Sequence, residues 1–274
     1  MREELKKIAS KYGVQANLVD MVHKHMMDSN RENQAKRVAE GRIGKFYPSS
    51  VGRCRRQIAY QMLGYPGRDI PGRNLLIMEN GTSFHNRMEH IFEQMGVMIA
   101  PELKLVDSDL RISGRSDAIV WNWLKTEEPE EDHEIVLRDI KDEVVYEGKQ
   151  SDVLIVELKS INNKNWDKLP KTLPKMEHRM QLQLYMYLTG IRQGVVYYEN
   201  KDTQEQKYFY VVYNPEMVNK IVSDIRYIID HIDKNKLPER DYTPVSFECK
   251  WCDYRDMCNP VSSKVSLDDI MNAI

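Results

Sequence analysis

The chain has 274 residues, 41% hydrophobic and 30% charged, with a formal net charge of −2 and a mean hydropathy of −0.61. That length buries a sizeable core, in one large domain with an appendage or in two small ones. No apolar run is long enough to span a membrane and no signal-peptide core opens the chain, so a cytoplasmic protein is expected, and any basic surface must be local.

Residues 1–45 read as a helical appendage. Leu5, Ile8 and Ala9, then Val14, Leu18, Val22 and Met26, recur at helical spacing with a break near Gly13, as in two helices packed on a core. Ser49 or Ser50 can cap a helix carrying Val51, Cys54, Ile58 and Met62. Arg53, Arg55 and Arg56 flank Cys54, with no acid between Gly41 and Arg68. Such a cluster is a candidate phosphate contact, although a bare charge run is more often a solvated face.

A second helix is expected over Leu75–Met95, with Phe84, Met88, Ile91 and Phe92 on or near its buried stripe and His85 one turn past Gly81. Glu102–Val106 and Leu110–Gly114 read as a hairpin turning at Asp107-Ser108-Asp109, and Gly114–Trp121 continues as a strand. Asp117 then falls in mid-strand before an apolar run, where a carboxylate is costly unless paired or metal-bound. Gly114 permits a bulge or a close backbone approach. Residues 122–152 are acidic and irregular and read as a surface insertion with a small hairpin at most, His133 in it being solvated.

Val153-Leu154-Ile155-Val156 is a buried-strand run that ends in Glu157-Leu158-Lys159. Period-2 geometry puts Glu157 and Lys159 on one face. Most same-face Glu/Lys pairs are solvated strand ends. In a cleft, the carboxylate can hold a divalent cation while the ammonium neutralises a developing anion. The following loop carries Lys164, Lys168, Lys171, Lys175 and Arg179 against Asp167 and Glu177, with Trp166 interleaved. That suits backbone tracking and base stacking, or an ordinary mobile loop. A helix with Met176, Met180, Leu184 and Leu188 on one stripe sets Gln181 and Tyr185 one turn apart beside it. Strands Gly194–Glu199 and Lys207–Val212 follow, then a helix from Pro215 to about Lys236 capped by Asn214. Three of the four cysteines crowd together as Cys249-x2-Cys252-x5-Cys258, and the fourth, Cys54, lies far upstream. In a reducing compartment such a set is inert or holds a metal.

In order, Gly81-x3-His85, Gly114-x2-Asp117, Glu157-x-Lys159 and Gln181-x3-Tyr185 resemble the motif set of RecB-like nucleases in the PD-(D/E)XK superfamily. The cysteine pattern resembles the subset that carries a [4Fe–4S] cluster, which includes CRISPR-associated Cas exonucleases and AddB-type helicase–nuclease subunits. The resemblance covers about residues 46–260, without the 122–152 insertion, and implies a nuclease domain over 46–262 with a tail at 263–274. It implies an α/β, restriction-endonuclease-like core, a mixed sheet flanked by helices and closed by an iron–sulfur clasp. It further implies Mg²⁺ or Mn²⁺ on His85, Asp117, Glu157 and the Leu158 carbonyl, with Lys159, Gln181 and Tyr185 acting beside them. Ser116-Asp117 stands where the family motif has Pro-Asp. An imidazole ligand softens the shell, so Mn²⁺ is expected to serve at least as well as Mg²⁺. Zinc on the four thiolates is the alternative to the cluster, but zinc ribbons usually come as two short Cys-x2-Cys pairs. The implied activity is DNA cleavage, exonucleolytic and favouring single-stranded or frayed ends. With no helicase P-loop in the chain, a helicase, recombination or CRISPR partner would supply unwinding. The alternatives are a catalytically weak DNA-end-binding module and an RNA-processing enzyme.

Overall fold

The computed structural model describes residues 2–13, 17–40, 43–124 and 132–259. The tail at 263–274 and the Val14 position of the first helical stripe lie outside the described residues.

Two helices open the chain, α1 (Arg2–Tyr12) and α2 (Leu18–Ala39). Gly13 adopts φ +93°, where only glycine sits without strain, and so ends α1. The Asn17 side chain caps α2 by accepting from the Asp20 N–H. The apolar positions of this pair were expected to face a core, but Leu5, Ile8 and Leu18 are exposed and α2 has no buried residue. Instead α2 lies across the start of α4 (Gly72–Gln94), and α3 (Arg55–Met62) precedes that helix. Gly72 permits the crossing, since a Cβ there would stand 2.5 Å from the His23 Cα. Arg31 on α2 also pairs with Asp69 at 2.5 Å.

The sheet is mixed and five-stranded, in the order β1 (Met98–Pro101), β4 (Ala118–Trp121), β7 (Val153–Ile161), β8 (Gln193–Asn200), β9 (Gln206–Val212). Only β7 and β8 pair in parallel, through a crossover that includes the short α5 (Asn163–Trp166) and α6 (Met176–Thr189). Gly190, at φ +79°, ends α6. Both central strands are largely buried on two faces, as such a crossover requires.

One sheet face (Ala118, Val120, Leu154, Val156, Leu158) packs on Phe84, Met88 and Phe92 of α4. The opposite face (Ile119, Val153, Ile155, Val196, Tyr198) packs on Leu182, Tyr185 and Met186 of α6. Beyond α6, α3 meets α7 (Pro215–Asp233) around Leu184, Ile58, Ile221 and Ile225. The Asn214 side chain caps α7, accepting from the Met217 N–H. No helix among the described residues is long and apolar enough to cross a membrane.

Three expectations change. Gly114–Trp121 is not one strand: β2 (Lys104–Asp107) and β3 (Ile112–Arg115) form their own two-stranded sheet, and the chain enters the main sheet only at Ala118. Gly114 does allow a close approach, to the Pro48 ring, at 2.6 Å from a Cβ built there. Within 122–152, β5 (Glu134–Arg138) and β6 (Val144–Lys149) form a hairpin whose Ile135, Leu137 and Tyr146 join the α6-side core, so this segment does more than cover the surface. Ile91, expected on the buried stripe of α4, is exposed. His133 is exposed as expected.

Candidate active site

Because β3 stops at Arg115, Asp117 lies in the break before β4 and not in mid-strand. Two main-chain bonds hold the break: Ser116 N–H donates to Leu103 O (3.0 Å) and Glu102 N–H to Asp117 O (3.1 Å). Antiparallel pairing sets Ala118 against Val156, which brings Asp117 beside the end of the buried run of β7. There its Oδ2 accepts the Leu158 N–H at 2.7 Å. From α4, on the other side, His85 Nδ1 reaches Asp117 Oδ1 at 3.3 Å.

Glu157 and Lys159 share the face of β7 that looks toward α6, and the Lys159 ammonium contacts Glu157 Oε1. Lys159 also points to Gln181 Oε1 at 3.4 Å, while Gln181 Nε2 donates to the Tyr185 hydroxyl at 2.7 Å. His85, Asp117, Glu157, Lys159, Gln181 and Tyr185, drawn from two helices, one strand and one strand break, therefore form one connected group. The i, i+4 spacing on α6 puts the amide and the phenol on one wall of it.

The electrostatics follow from burial. Glu157 is fully buried and neither carboxylate oxygen has a hydrogen-bond partner of proper geometry. Burial first, and then repulsion from Asp117, push its pKa up to about 7 despite Lys159. For Lys159, burial works against the charge, but Glu157 and Asp117 outweigh it and hold the pKa above its ordinary value. His85 behaves alike: burial lowers it, the bond and attraction to Asp117 win, and the net direction is up. Burial, with Glu157 and Asp117 nearby, raises the Tyr185 phenol well above its usual range, so it stays protonated.

Among the described residues, no three His, Cys, Asp or Glu side chains stand close enough together to hold a metal ion. His85 is turned onto Asp117 and Glu157 onto Lys159. Even so, a buried carboxylate with unmatched lone pairs beside a second carboxylate and an imidazole is the donor chemistry of a hard divalent cation. In donor type, the residues present fit such an ion.

Cys54, Cys249, Cys252 and Cys258 line one cavity, together with Tyr60, Arg56 and Arg240. None is in a disulfide. Cys249 and Cys258 sit on the one-turn helices α8 (Phe247–Lys250) and α9 (Arg255–Cys258). Burial raises the Cys252 thiol, with Asp253, Cys54 and Cys258 adding to it.

The residues expected to meet DNA are dispersed. Arg55 is bound to Asp241 through its backbone N–H and its guanidinium, and Arg56 Nε donates to Pro238 O at 2.7 Å. Arg53 instead lines two open grooves, one beside Met180 of α6 and one beside Arg37 of α2. Lys164 and Lys168 are exposed, and Trp166 packs half-buried against the α6-side core. One polar residue on the α6 wall escaped the sequence reading: His178, whose Nδ1 lies 2.7 Å from the Tyr198 hydroxyl. Its signal was its place three residues before Gln181, on the same helix face.

An α/β sheet whose central strand delivers a carboxylate and an ammonium beside an aspartate from the break before the neighbouring strand defines a nuclease class. Residues 84–259 match the family model of the PD-(D/E)XK nuclease superfamily, and the chain belongs to that superfamily. Among solved structures, the crystal structure of SSO0001 is similar at TM-score 0.49 and 16% identity, over 91% of this chain and 99% of that one. An alkaline exonuclease (LHK-Exo) from Laribacter hongkongensis is similar at TM-score 0.47 and 13% identity, over 72% and 91% of the two chains. Its complex with dAMP gives 0.47 and 15%, over 71% and 91%. These likenesses are distant, and the family assignment rests on the sequence match. A search of curated proteins gives no significant match.

Proposed function

We propose that the protein is a divalent-metal-dependent DNA nuclease, acting as an exonuclease on single-stranded or frayed ends. The observation that carries the reading is the fully buried Glu157 carboxylate, unmatched by hydrogen bonds, in one group with Asp117, His85 and Lys159. A fully buried carboxyl group whose only charged partner is the Lys159 ammonium is costly to keep, and a purely structural core gains nothing from it. Mg²⁺ or Mn²⁺ would be held by His85, Asp117, Glu157 and the Leu158 carbonyl, replacing the His85–Asp117 and Glu157–Lys159 contacts. Such an ion supplies a Lewis acid for a phosphate oxygen and a water that is nucleophilic near neutral pH.

The protein's own groups do the rest. Lys159, kept charged by the acids around it, places a cation where the phosphate gains negative charge. Gln181 fixes that ammonium through Oε1, and its own orientation is fixed by donating to Tyr185. The Leu158 N–H holds Asp117 in one rotamer. The preference for strand ends, and a role in recombination, repair or CRISPR-linked processing with a helicase or other partner, rest on the motif resemblance.

The four cysteines are read as holding a [4Fe–4S] cluster that ties α3 to the C-terminal segment. What supports that reading is that the four thiols line one cavity and none is in a disulfide. The deciding assay follows degradation of labelled single strands with Mn²⁺. Asp117→Ala and Lys159→Ala should each lower the rate by about 10²-fold or more. Unchanged degradation in both would refute the mechanism, and equal cleavage of RNA and DNA strands of one sequence would refute the substrate class.

A further inference from the structure

The catalytic reading uses two polar side chains on the inner wall of α6 and leaves a third, His178, without a task. It lies three residues before Gln181 and seven before Tyr185, so the three share a helix face. Its partner, Tyr198, pairs in register with Lys159 across the parallel β7–β8 ladder, so phenol and ammonium stand side by side on one sheet face.

The hydrogen bonds around Tyr198 fix the chemistry of the imidazole. The fully buried phenol oxygen accepts the Lys175 backbone N–H at 3.1 Å. Its own hydrogen still needs an acceptor, because a buried donor without one is costly. The acceptor within reach is His178 Nδ1, at 2.7 Å. With Nδ1 accepting, a neutral imidazole carries its hydrogen on Nε2. The ring is neutral: burial, then the charges of Lys159 and Lys175, push its pKa down to about 3. The half-exposed ring thus offers an Nε2–H with no partner among the described residues. A nitrogen that already bears hydrogen can neither ligate a cation nor take up a proton. What remains to it is donation, and its setting beside two lysines favours an anionic acceptor.

We infer that His178 Nε2–H donates to a non-bridging oxygen of the DNA backbone on the lysine side of the scissile phosphate, with Tyr198 and the Lys175 N–H acting as positioning groups that hold the tautomer. The inference rests on the nuclease reading of the same site. As a neutral donor, His178 grips phosphate without adding a third positive charge next to Lys159.

Isosteric variants test it. The amide of His178→Gln reaches the place of Nε2, whereas that of His178→Asn reaches only the place of Nδ1 and keeps the Tyr198 contact. Strand affinity is measured by anisotropy of a labelled single-stranded oligodeoxynucleotide in EDTA, and KM and kcat with Mn²⁺. His178→Ala and His178→Asn should weaken affinity and raise KM by about 10- to 100-fold, the worth of a hydrogen bond to a charged group, with kcat little changed. His178→Gln should stay close to wild type. The reverse order, Asn retained and Gln lost, would show that the role of His178 ends at Tyr198 and would overturn the inference, as would three variants that all match wild type. If wild-type protein binds the strand but does not cleave it, the nuclease reading fails while the affinity ranking still decides this one. If it does neither, both fall.

Discussion

Glu157 should make the metal-free protein less stable as pH rises, against the usual behaviour of a paired carboxylate. Its ordinary pKa is 4.5, and in the folded chain it is pushed up to about 7. Between those values the unfolded chain releases this proton first, so the native state binds more protons and stability falls with pH. The loss begins near pH 4.5 and is complete just above 7. At about 1.4 kcal/mol for each tenfold change in the proton equilibrium, it amounts to roughly 3 kcal/mol. Lys159 does not reverse the sign, because its raised pKa keeps its contribution present throughout this window. His85, also raised, contributes stability below its ordinary value of 6.5 and loses it as pH climbs through its folded pKa, so it adds to the fall at the upper end.

Urea unfolding in EDTA at pH 5 and pH 8, on wild type and Glu157→Gln, separates the two groups: wild type should lose roughly 3 kcal/mol more than the variant across the interval. Mn²⁺ at a hundredfold its dissociation constant should return about 2.7 kcal/mol to wild type at pH 8, or about 5–10 °C in Tm for a domain of this size. It should return little to the variant. Equal pH slopes in EDTA, or equal stabilisation of both proteins by Mn²⁺, would refute the assignment of Glu157 as the buried ligand.

Other consequences are open to direct measurement. Tying Cys54 to Cys249 closes a loop of nearly two hundred residues, and Cys54→Ser should cost on the order of 4–5 kcal/mol in thermal or urea unfolding, with lower iron content in anaerobically purified protein. Gly72→Ala should cost about 1–3 kcal/mol by driving a Cβ into the His23 backbone, and limited proteolysis should then cut α2 sooner. Arg53→Ala should lower strand affinity and reduce its salt dependence by about one ion. Arg55→Met should leave affinity nearly unchanged and cost about 1 kcal/mol of stability through the partly exposed Asp241 pair.

The elements read correctly from the sequence were those whose local pattern and tertiary setting agree. The β-branched run before Glu157 is a strand buried on both faces, and Asn214-Pro215 opens a helix because an amide cap and a proline at the first position suit the same turn. Asp117 was misplaced because nothing between Gly114 and Trp121 punctuates the chain. The break there is imposed from outside, by Leu103 and Glu102 taking the Ser116 and Asp117 main-chain groups. Acidity made the 134–149 hairpin read as mere surface, although Ile135 and Leu137 alternate with the exposed Glu134, Val136 and Arg138 as one buried face requires. The exposed stripe of α2 shows the converse, helical spacing with no core to meet it.

Register explains why the site itself was legible only in part. Motif spacing alone relates Gln181 to Tyr185 and Glu157 to Lys159, because each pair lies within one element. The packing of α6 on β7 joins the pairs, bringing Gln181 Oε1 to the Lys159 ammonium, and the parallel alignment of β7 on β8 sets Tyr198 beside Lys159. A slip of one residue would turn Tyr198 to the α4 face and put Tyr197 or Glu199 beside Lys159 in its place, according to direction. The tautomer of His178, and with it the open donor near Lys159, is thus a property of strand pairing that no local pattern in the chain encodes.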